Sequence, residues 1–191
     1  MRKKVRETSG NWLTVAYCRK SKCNVSQEQR VKLIQRMVEI LKVKCLCEKV
    51  YVSPVCFASS LLLERDFSNN TATVMDKNKY KDGHFQGFVM LAKSSSANIR
   101  LVILDYAGLT TNPEDLLKLI RKLKSVKEIV IYKGYTYEIL SRQHYYRVKL
   151  QRSLIVDHHL SKDPLYNFIL SPIMFSPIFP LNFFYIHVHQ K

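Results

Sequence analysis

The sequence predicts an α/β fold of three layers, in which a mainly parallel sheet is flanked by helices on both faces. Two observations support this prediction. Short β-rich runs alternate along the chain with segments of helical periodicity. One of the runs, residues 99–106, is mostly apolar, which is typical of a strand covered on both faces. With 47% hydrophobic residues, a chain of 191 residues can bury one such core.

The first predicted strand and helix lie within residues 12–41. Residues 12–17 (WLTVAY) are rich in β-branched and aromatic side chains. Ser26 and Gln29 form a capping-box signal for the start of a helix. Apolar residues then recur at helical spacing and are expected to form its buried face: Ile34, Met37, Val38 and Leu41.

The middle of the chain predicts a strand, an exposed loop and a short helix. Residues 48–53 (EKVYVS) read as a second strand that ends at Pro54. Residues 66–84 are polar and rich in Asn, Asp, Lys and Gly, as is typical of a loop. Residues 85–95 (FQGFVMLAKSS) are then predicted to be helical.

Two further strands enclose a helix with a strong start signal. After the strand at residues 99–106, Asn112 is a natural N-cap and Pro113 fits the first helical position. Leucine and isoleucine residues supply the buried stripe of this helix, and residues 127–132 (KEIVIY) form the next strand.

Both ends of the chain are predicted to lie outside the domain. Residues 1–10 are basic and are expected to form a mobile arm. A helix is predicted over residues 137–156, and residues 141–163 are interpreted as a basic helical extension that either contacts nucleic acid or is a solvated face. Residues 164–191 are apolar but carry Pro172, Pro177 and Pro180. The prolines favour an irregular tail, disordered or foreign to the domain, over a membrane anchor.

Charge and cysteine content restrict the class of partner. The formal charge of +16 favours polyanions, with nucleic acid first and an acidic membrane surface second. The alternative is a basic protein with no nucleic-acid role. The five cysteines are odd in number and follow no cleavable signal peptide, so reduced thiols and a nuclear or cytoplasmic location are expected. Their spacing does not match a zinc site, and no metal site is predicted.

The candidate site follows the first strand, in the segment TVAYCRKSKCN (residues 14–24). Carboxyl ends of parallel strands open onto the crevice where ligands bind. There, Arg19 offers a planar fork that matches phosphate oxygens, and Ser21 offers a hydroxyl. The alternative is a solvated turn, since Arg-x-Ser occurs by chance in many loops. No glycine-rich phosphate loop follows a predicted strand.

Residues 11–140 resemble the catalytic domain of the serine recombinases (resolvases and invertases), which makes the predicted fold resolvase-like. That family opens with a strand that leads into Tyr-x-Arg-x-Ser, and Tyr17, Arg19 and Ser21 match this motif. In the family the second strand leads to a serine and, six residues on, an arginine. Ser59 and Arg65 keep that spacing.

The third block of the resemblance departs from the family. Where the family has two arginines in an Arg-Leu-x-Arg segment, this chain reads DYAGLTTN, with Gly108 and Thr111 at the arginine positions. The loop at 69–84 is longer than the family's usual link, and no recognisable helix-turn-helix follows.

The resemblance implies a role for each matched residue. Ser21 would attack a DNA phosphodiester to form a 5′-phosphoserine link, Arg19 and Arg65 would clamp the phosphate, and Gln35 would support the catalytic site. Further DNA contacts are implied or needed in place of the missing arginines: Tyr17, Lys20, Ser59, Lys93 and Arg100. The implied partner is double-stranded DNA bound by a homodimer or tetramer, with no metal and no small-molecule cofactor.

Three hypotheses remain from the sequence. The first is an active DNA strand-exchange enzyme. The second is a catalytically inactive relative that keeps the resolvase-like fold and binds DNA or another partner. The third is a basic α/β interaction protein in which Arg19 and Ser21 only contact a phosphate or cap a helix. Loss of a single preorganised donor commonly costs about 100-fold to 1000-fold in rate. The first hypothesis therefore requires Lys20, Lys93 or Arg100 to replace the two missing arginines, and the second does not.

Overall fold

One sheet organises the part of the chain that the computed structural model describes, which is residues 1–8, 10–22, 25–67 and 82–143. Its strands, in chain order, are β1 (Trp12–Arg19), β2 (Lys49–Ser53), β3 (Asn98–Ile103), β4 (Val126–Tyr132) and β5 (Tyr137–Ser141). The spatial order is β2-β1-β3-β4-β5. The first four strands run parallel, and β5 pairs antiparallel with β4. The predicted α/β class with a mainly parallel sheet is confirmed.

The described residues contain five α-helices. They are α1 (Arg2–Glu7), α2 (Gln27–Glu39), α3 (Phe85–Ser94), α4 (Tyr106–Leu109) and α5 (Pro113–Lys122), with a π-helical turn at Ile40–Lys44 and a 3₁₀ turn at Leu62–Glu64. Three of these helices, α2, α3 and α5, begin where the sequence signals predict. The capping box of Ser26 and Gln29 is present at the start of α2. The side chain of Asn112 accepts hydrogen bonds from the backbone of Glu114 and Asp115 at the start of α5.

Alternate side chains of each strand enter two separate cores, one on each face of the sheet. On one face, α1 and α2 cover the sheet, where Ile34 and Val38 pack with Ala16 and Cys18. On the other face, α3 and α5 cover it, in a second cluster that includes Val15, Tyr17, Phe85, Leu101, Ile120 and Ile129. Both faces of β3 are buried, as its mostly apolar run predicted.

The amino terminus is a docked helix, and the predicted mobile arm at residues 1–10 is wrong for α1. Met1 is only 2% exposed, and Lys4 Nζ donates to Glu128 Oε2 at 3.0 Å. The physical reason lies beneath the helix, where the buried guanidinium of Arg100 pairs with the same Glu128 carboxylate. The basic helix completes this buried ion-pair group, which sequence periodicity does not reveal.

The helix predicted over residues 137–156 is also wrong in its first part, because Tyr137–Ser141 form β5. A tight connection containing Gly134, with φ of 87°, turns the chain back along β4, and Lys133 N donates to the Thr136 carbonyl at 2.9 Å. Residues 137–141 have a sequence pattern that fits either a helix or a strand, and they form a strand because the edge of β4 offers hydrogen-bond partners. The rest of the 141–163 extension beyond residue 143, the 164–191 tail and most of the 69–84 loop lie outside the described residues.

Within the described ranges, no helix combines the length and the apolar character that crossing a bilayer requires.

Candidate functional site

The carboxyl end of β1 lies at the point where the chain connections diverge. In the sheet β1 is between β2 and β3, and the connection to β2 passes over one face while the connection from β3 to β4 passes over the other. Loops that leave adjacent strands in opposite directions open a crevice at their carboxyl ends. Arg19 is the last residue of β1 and therefore lies at this crevice.

Arg19 links three loops through one guanidinium group. Its Nε donates to the Ala107 carbonyl at 2.8 Å, and its Nη1 donates to the Cys56 carbonyl and to Ser21 Oγ, both at 3.0 Å. Among the described residues, Nη2 has no hydrogen-bond partner. The arrangement leaves two N–H donors uncommitted beside an exposed serine.

The backbone of Ser21 is fixed by a residue that the sequence analysis did not select. Arg30 Nη1 donates to the Ser21 carbonyl at 2.7 Å and to the Pro54 carbonyl at 3.1 Å, and Arg30 is only 6% exposed. A signal for this role was present in the sequence. Arg30 lies four residues before Ile34, so it continues the buried stripe of α2, where an arginine needs buried acceptors.

Arg65 occupies a different position from the predicted phosphate clamp. It is 3% exposed, and all five of its N–H donors are used by protein oxygens. Nε and Nη2 donate to the Ser60 carbonyl at 3.1 and 3.0 Å, and Nη2 also donates to the Ala58 carbonyl at 3.1 Å. Nη1 donates to the Leu109 carbonyl and to the Tyr17 hydroxyl. In this arrangement Arg65 holds loops together and has no donor left for DNA.

Tyr17 is likewise a buried structural group, which corrects its predicted contact with DNA. Its hydroxyl donates to Ser53 Oγ at 2.8 Å, and Ser53 Oγ donates to Asp66 Oδ2 at 2.6 Å. The same carboxylate oxygen accepts from the backbone of Phe85, the first residue of α3, at 2.9 Å. Burial is the main cause that raises the pKa of Tyr17 far above its ordinary value. The hydroxyl therefore stays protonated and donates.

Two of the other predicted site residues remain at this edge. Lys20 follows β1 directly, and its backbone N–H donates to the Ser53 carbonyl at 3.0 Å. Ser59 is exposed in the loop over residues 56–60, whose carbonyls are held by Arg19 and Arg65. These residues extend the polar surface around Ser21.

Three other predicted residues lie elsewhere, which corrects their assignment to one phosphate site. Gln35 donates to Glu39 at 3.3 Å on α2, about 7.5 Å of helix rise beyond Arg30. Lys93 is in the last turn of α3, at the amino-terminal edge of the sheet. Arg100 is fully buried near the start of β3 and is paired with Glu128. In a parallel sheet these two cations lie at the edge opposite Arg19, so they do not replace the missing arginines.

The segment after β3 supplies oxygen atoms at the positions where the serine recombinases, which the sequence resembles, have arginines. Asp105 caps α4, and its carboxylate accepts from the backbone N–H of Gly108. A Cβ at position 108 would lie 3.2 Å from Asp105 Oδ1, so this turn favours glycine. Thr111 N donates to the Ala58 carbonyl at 3.4 Å. The turn thus joins the loop after β2 and carries no cation of its own.

The exposed groups at this edge suit an anionic ligand by their own chemistry. No family model matches the sequence, and no curated protein or solved structure matches it. Among the described residues, no three His, Cys, Asp or Glu side chains are grouped so that they could hold a metal ion. The uncommitted guanidinium N–H groups of Arg19 and the exposed hydroxyl of Ser21 together suit the oxygens of a phosphate.

Proposed function

We propose that the chain is a serine-recombinase-like domain that binds the phosphate backbone of double-stranded DNA through Arg19 and Ser21 and does not cut it. One observation carries this proposal. Within the described part of the chain, two N–H donors of Arg19 remain without a partner beside the exposed Ser21, whereas the second matched arginine, Arg65, uses every donor on protein oxygens. Arg19 and Ser21 can therefore contact a phosphate, but Arg65 cannot join them in holding it.

Electrostatics supports a nucleic-acid ligand. Lys20 and Lys22 flank Ser21, with Arg19 directly before them. Each cation that neutralises a DNA phosphate releases condensed counterions, which supplies much of the affinity at low salt. The formal charge of +16 adds a long-range field that attracts a polyanion.

The same geometry argues against strand cleavage. The phosphoryl transition state gathers negative charge, and each missing preorganised donor costs about 100-fold to 1000-fold in rate. Arg65 is committed to carbonyl oxygens, and Gly108 and Thr111 stand where the family has arginines. Cations at the opposite edge of the sheet do not compensate. Binding without turnover follows.

Active strand exchange is the second candidate, because Arg19 Nη1 lies 3.0 Å from Ser21 Oγ. In that reaction the serine oxygen attacks phosphorus and loses its proton, a serine–phosphate bond forms, and the bond to the 3′ oxygen breaks. The leaving oxygen takes up a proton and becomes a 3′ hydroxyl. The covalent link conserves the energy of the phosphodiester for rejoining.

Binding of a fluorescent duplex to Arg19→Ala, Ser21→Ala and Lys118→Ala tests the proposal, since Lys118 is an exposed cation on α5. Arg19→Ala should weaken binding and lower the slope of log K against log salt by about one, while Lys118→Ala changes neither. Equal binding by Arg19→Ala and the parent would overturn the proposed interface.

A nicked duplex that traps a covalent intermediate separates the two candidates. The parent protein should bind this duplex without forming a DNA–protein adduct that survives denaturation. An adduct that is present in the parent and absent in Ser21→Ala would establish strand exchange instead, with Ser21 as the nucleophile. Lys118→Ala serves as the control for both measurements.

A further inference from the structure

A second basic surface lies at the amino-terminal edge of the sheet, opposite Arg19. A cleft of about 360 Å³ opens there between the carboxyl ends of α3 and α5. Its walls carry four lysines and several hydroxyl groups. We call it the lysine cleft, and define it by Lys93, Lys122, Lys124, Lys127, Ser95 and Ser125.

The chain connections hold the walls of the lysine cleft in place. The helices α3 and α5 cover the same face of the sheet and lead into the adjacent strands β3 and β4. Ser125 Oγ donates to the Ala92 carbonyl near the end of α3, and the Ser125 carbonyl accepts from Ile99 N at 2.8 Å. The two connecting segments are therefore bonded to each other, and the cleft is part of the packed fold.

The lysines of the cleft have no carboxylate partners in the described part of the chain. The ion pairs among the described residues are made by other cations, namely Lys4, Lys42, Arg100 and Lys133. No aspartate or glutamate lines the cleft. Two helix carboxyl ends together contribute about −1 charge, against four ammonium groups. The cleft therefore keeps a net positive charge that a ligand can neutralise.

We propose that the lysine cleft binds a small ligand with three or more closely spaced phosphoryl groups, at a site separate from the DNA interface. Its volume falls in the range of small-molecule pockets, about 300–1000 Å³. Four separate ammonium point charges suit several phosphoryl groups better than one bidentate anion. Among the described residues, no aromatic ring lines the cleft that could stack on a nucleobase. The ligand class is a base-free polyphosphate, inorganic or carried on a polyol.

Calorimetric titration of the full chain with inorganic tripolyphosphate and with inositol hexakisphosphate tests this proposal and distinguishes the two sources. The parent should bind at least one of them at micromolar concentration, and Lys93→Gln/Lys124→Gln should bind at least tenfold more weakly. Lys118→Gln and Arg19→Ala should bind as the parent does. The two substituted lysines, Lys93 and Lys124, are exposed, so circular dichroism should show an unchanged fold.

Three results would overturn the proposal. The first is binding of both probes only in the millimolar range. The second is an equal loss in Lys118→Gln, which would indicate diffuse surface charge. The third is competition by duplex DNA that the cleft variant abolishes, which would make the cleft part of the DNA surface. If Arg19→Ala loses DNA but keeps tripolyphosphate, the two sites are independent.

Discussion

Arg19 donates from Nη1 to the hydroxyl oxygen of Ser21 at 3.0 Å while its Nε donates to the Ala107 carbonyl at 2.8 Å. One guanidinium thus orients the serine and ties the loop after β1 to the turn after β3. The serine hydroxyl accepts in this contact, so its own proton remains available to a ligand. The Arg19 guanidinium therefore serves both the proposed phosphate contact and the ordering of the two loops.

Arg19→Lys should separate the charge of this residue from its geometry. Lysine keeps the positive charge but cannot span the Ser21, Cys56 and Ala107 oxygens together. We expect DNA affinity to fall by about tenfold, or about 1.4 kcal/mol, with little change in the salt dependence. Anisotropy titrations at several salt concentrations measure both quantities. Parent-like affinity in Arg19→Lys would show that the fork is not used.

Arg65→Met should destabilise the domain strongly. The change removes the Arg65 donors from the buried Leu109 carbonyl and the partly buried Ser60 carbonyl, and an unpaired buried polar group costs about 1–3 kcal/mol. We expect the free energy of unfolding in urea to fall by about 3–5 kcal/mol. The exposed Arg36→Met on α2 should cost less than about 0.5 kcal/mol. A similarly small loss in Arg65→Met would contradict the inward role.

Local signals in the sequence predict the elements whose ends are set locally. The capping box at Ser26 and the N-cap at Asn112 each identify a helix start from residues within one turn. The apolar runs of β1 and β3 predict strands because both faces of the sheet are covered. These features need no knowledge of distant contacts, and they place Arg19 and Ser21 at the carboxyl edge.

The parts that sequence reasoning missed depend on distant partners. Arg65 is buried because carbonyls from two loops converge on it, and Arg100 is buried because Glu128 lies on the next strand. The local sequence around an arginine is the same whether its side chain faces a phosphate or is buried against protein oxygens. The helix α1 forms against Glu128 of a strand distant in the sequence, and β5 forms by pairing with the exposed edge of β4, so no local period identifies either element.

Glu128→Gln should show the cost of an uncompensated buried cation. Arg100 is fully buried, and the Glu128 carboxylate pairs with it and with Lys4 of α1. Breaking a buried pair costs about 3–5 kcal/mol, and we expect a loss of about 3 kcal/mol in urea because the amide still accepts one hydrogen bond. Lys133→Ala, which breaks a more exposed pair, should cost less than about 1 kcal/mol. Equal losses in the two variants would contradict this assignment.

Alkaline pH should destabilise the domain through Cys18. Burial raises the pKa of this thiol from 9.0 to about 12. Between these values the unfolded chain releases a proton that the folded chain retains, so the free energy of unfolding falls as pH rises. The contribution is fully present below pH 9 and is lost toward pH 12. The slope from this one group is at most about 1.4 kcal/mol per pH unit.

Urea unfolding of the parent, Cys18→Ala and Val50→Ala at pH 9.5 and 10.5 measures this effect. Cys18→Ala lacks the titrating thiol, so its stability should fall by about 1 kcal/mol less than that of the parent over this interval. Val50 packs in the same core but does not titrate, and Val50→Ala should lose stability in parallel with the parent. The comparison separates proton release from the loss of packing, because the smaller side chain lowers stability equally at both pH values. Parallel behaviour of all three proteins would show that the Cys18 thiol ionises equally in the folded and unfolded states.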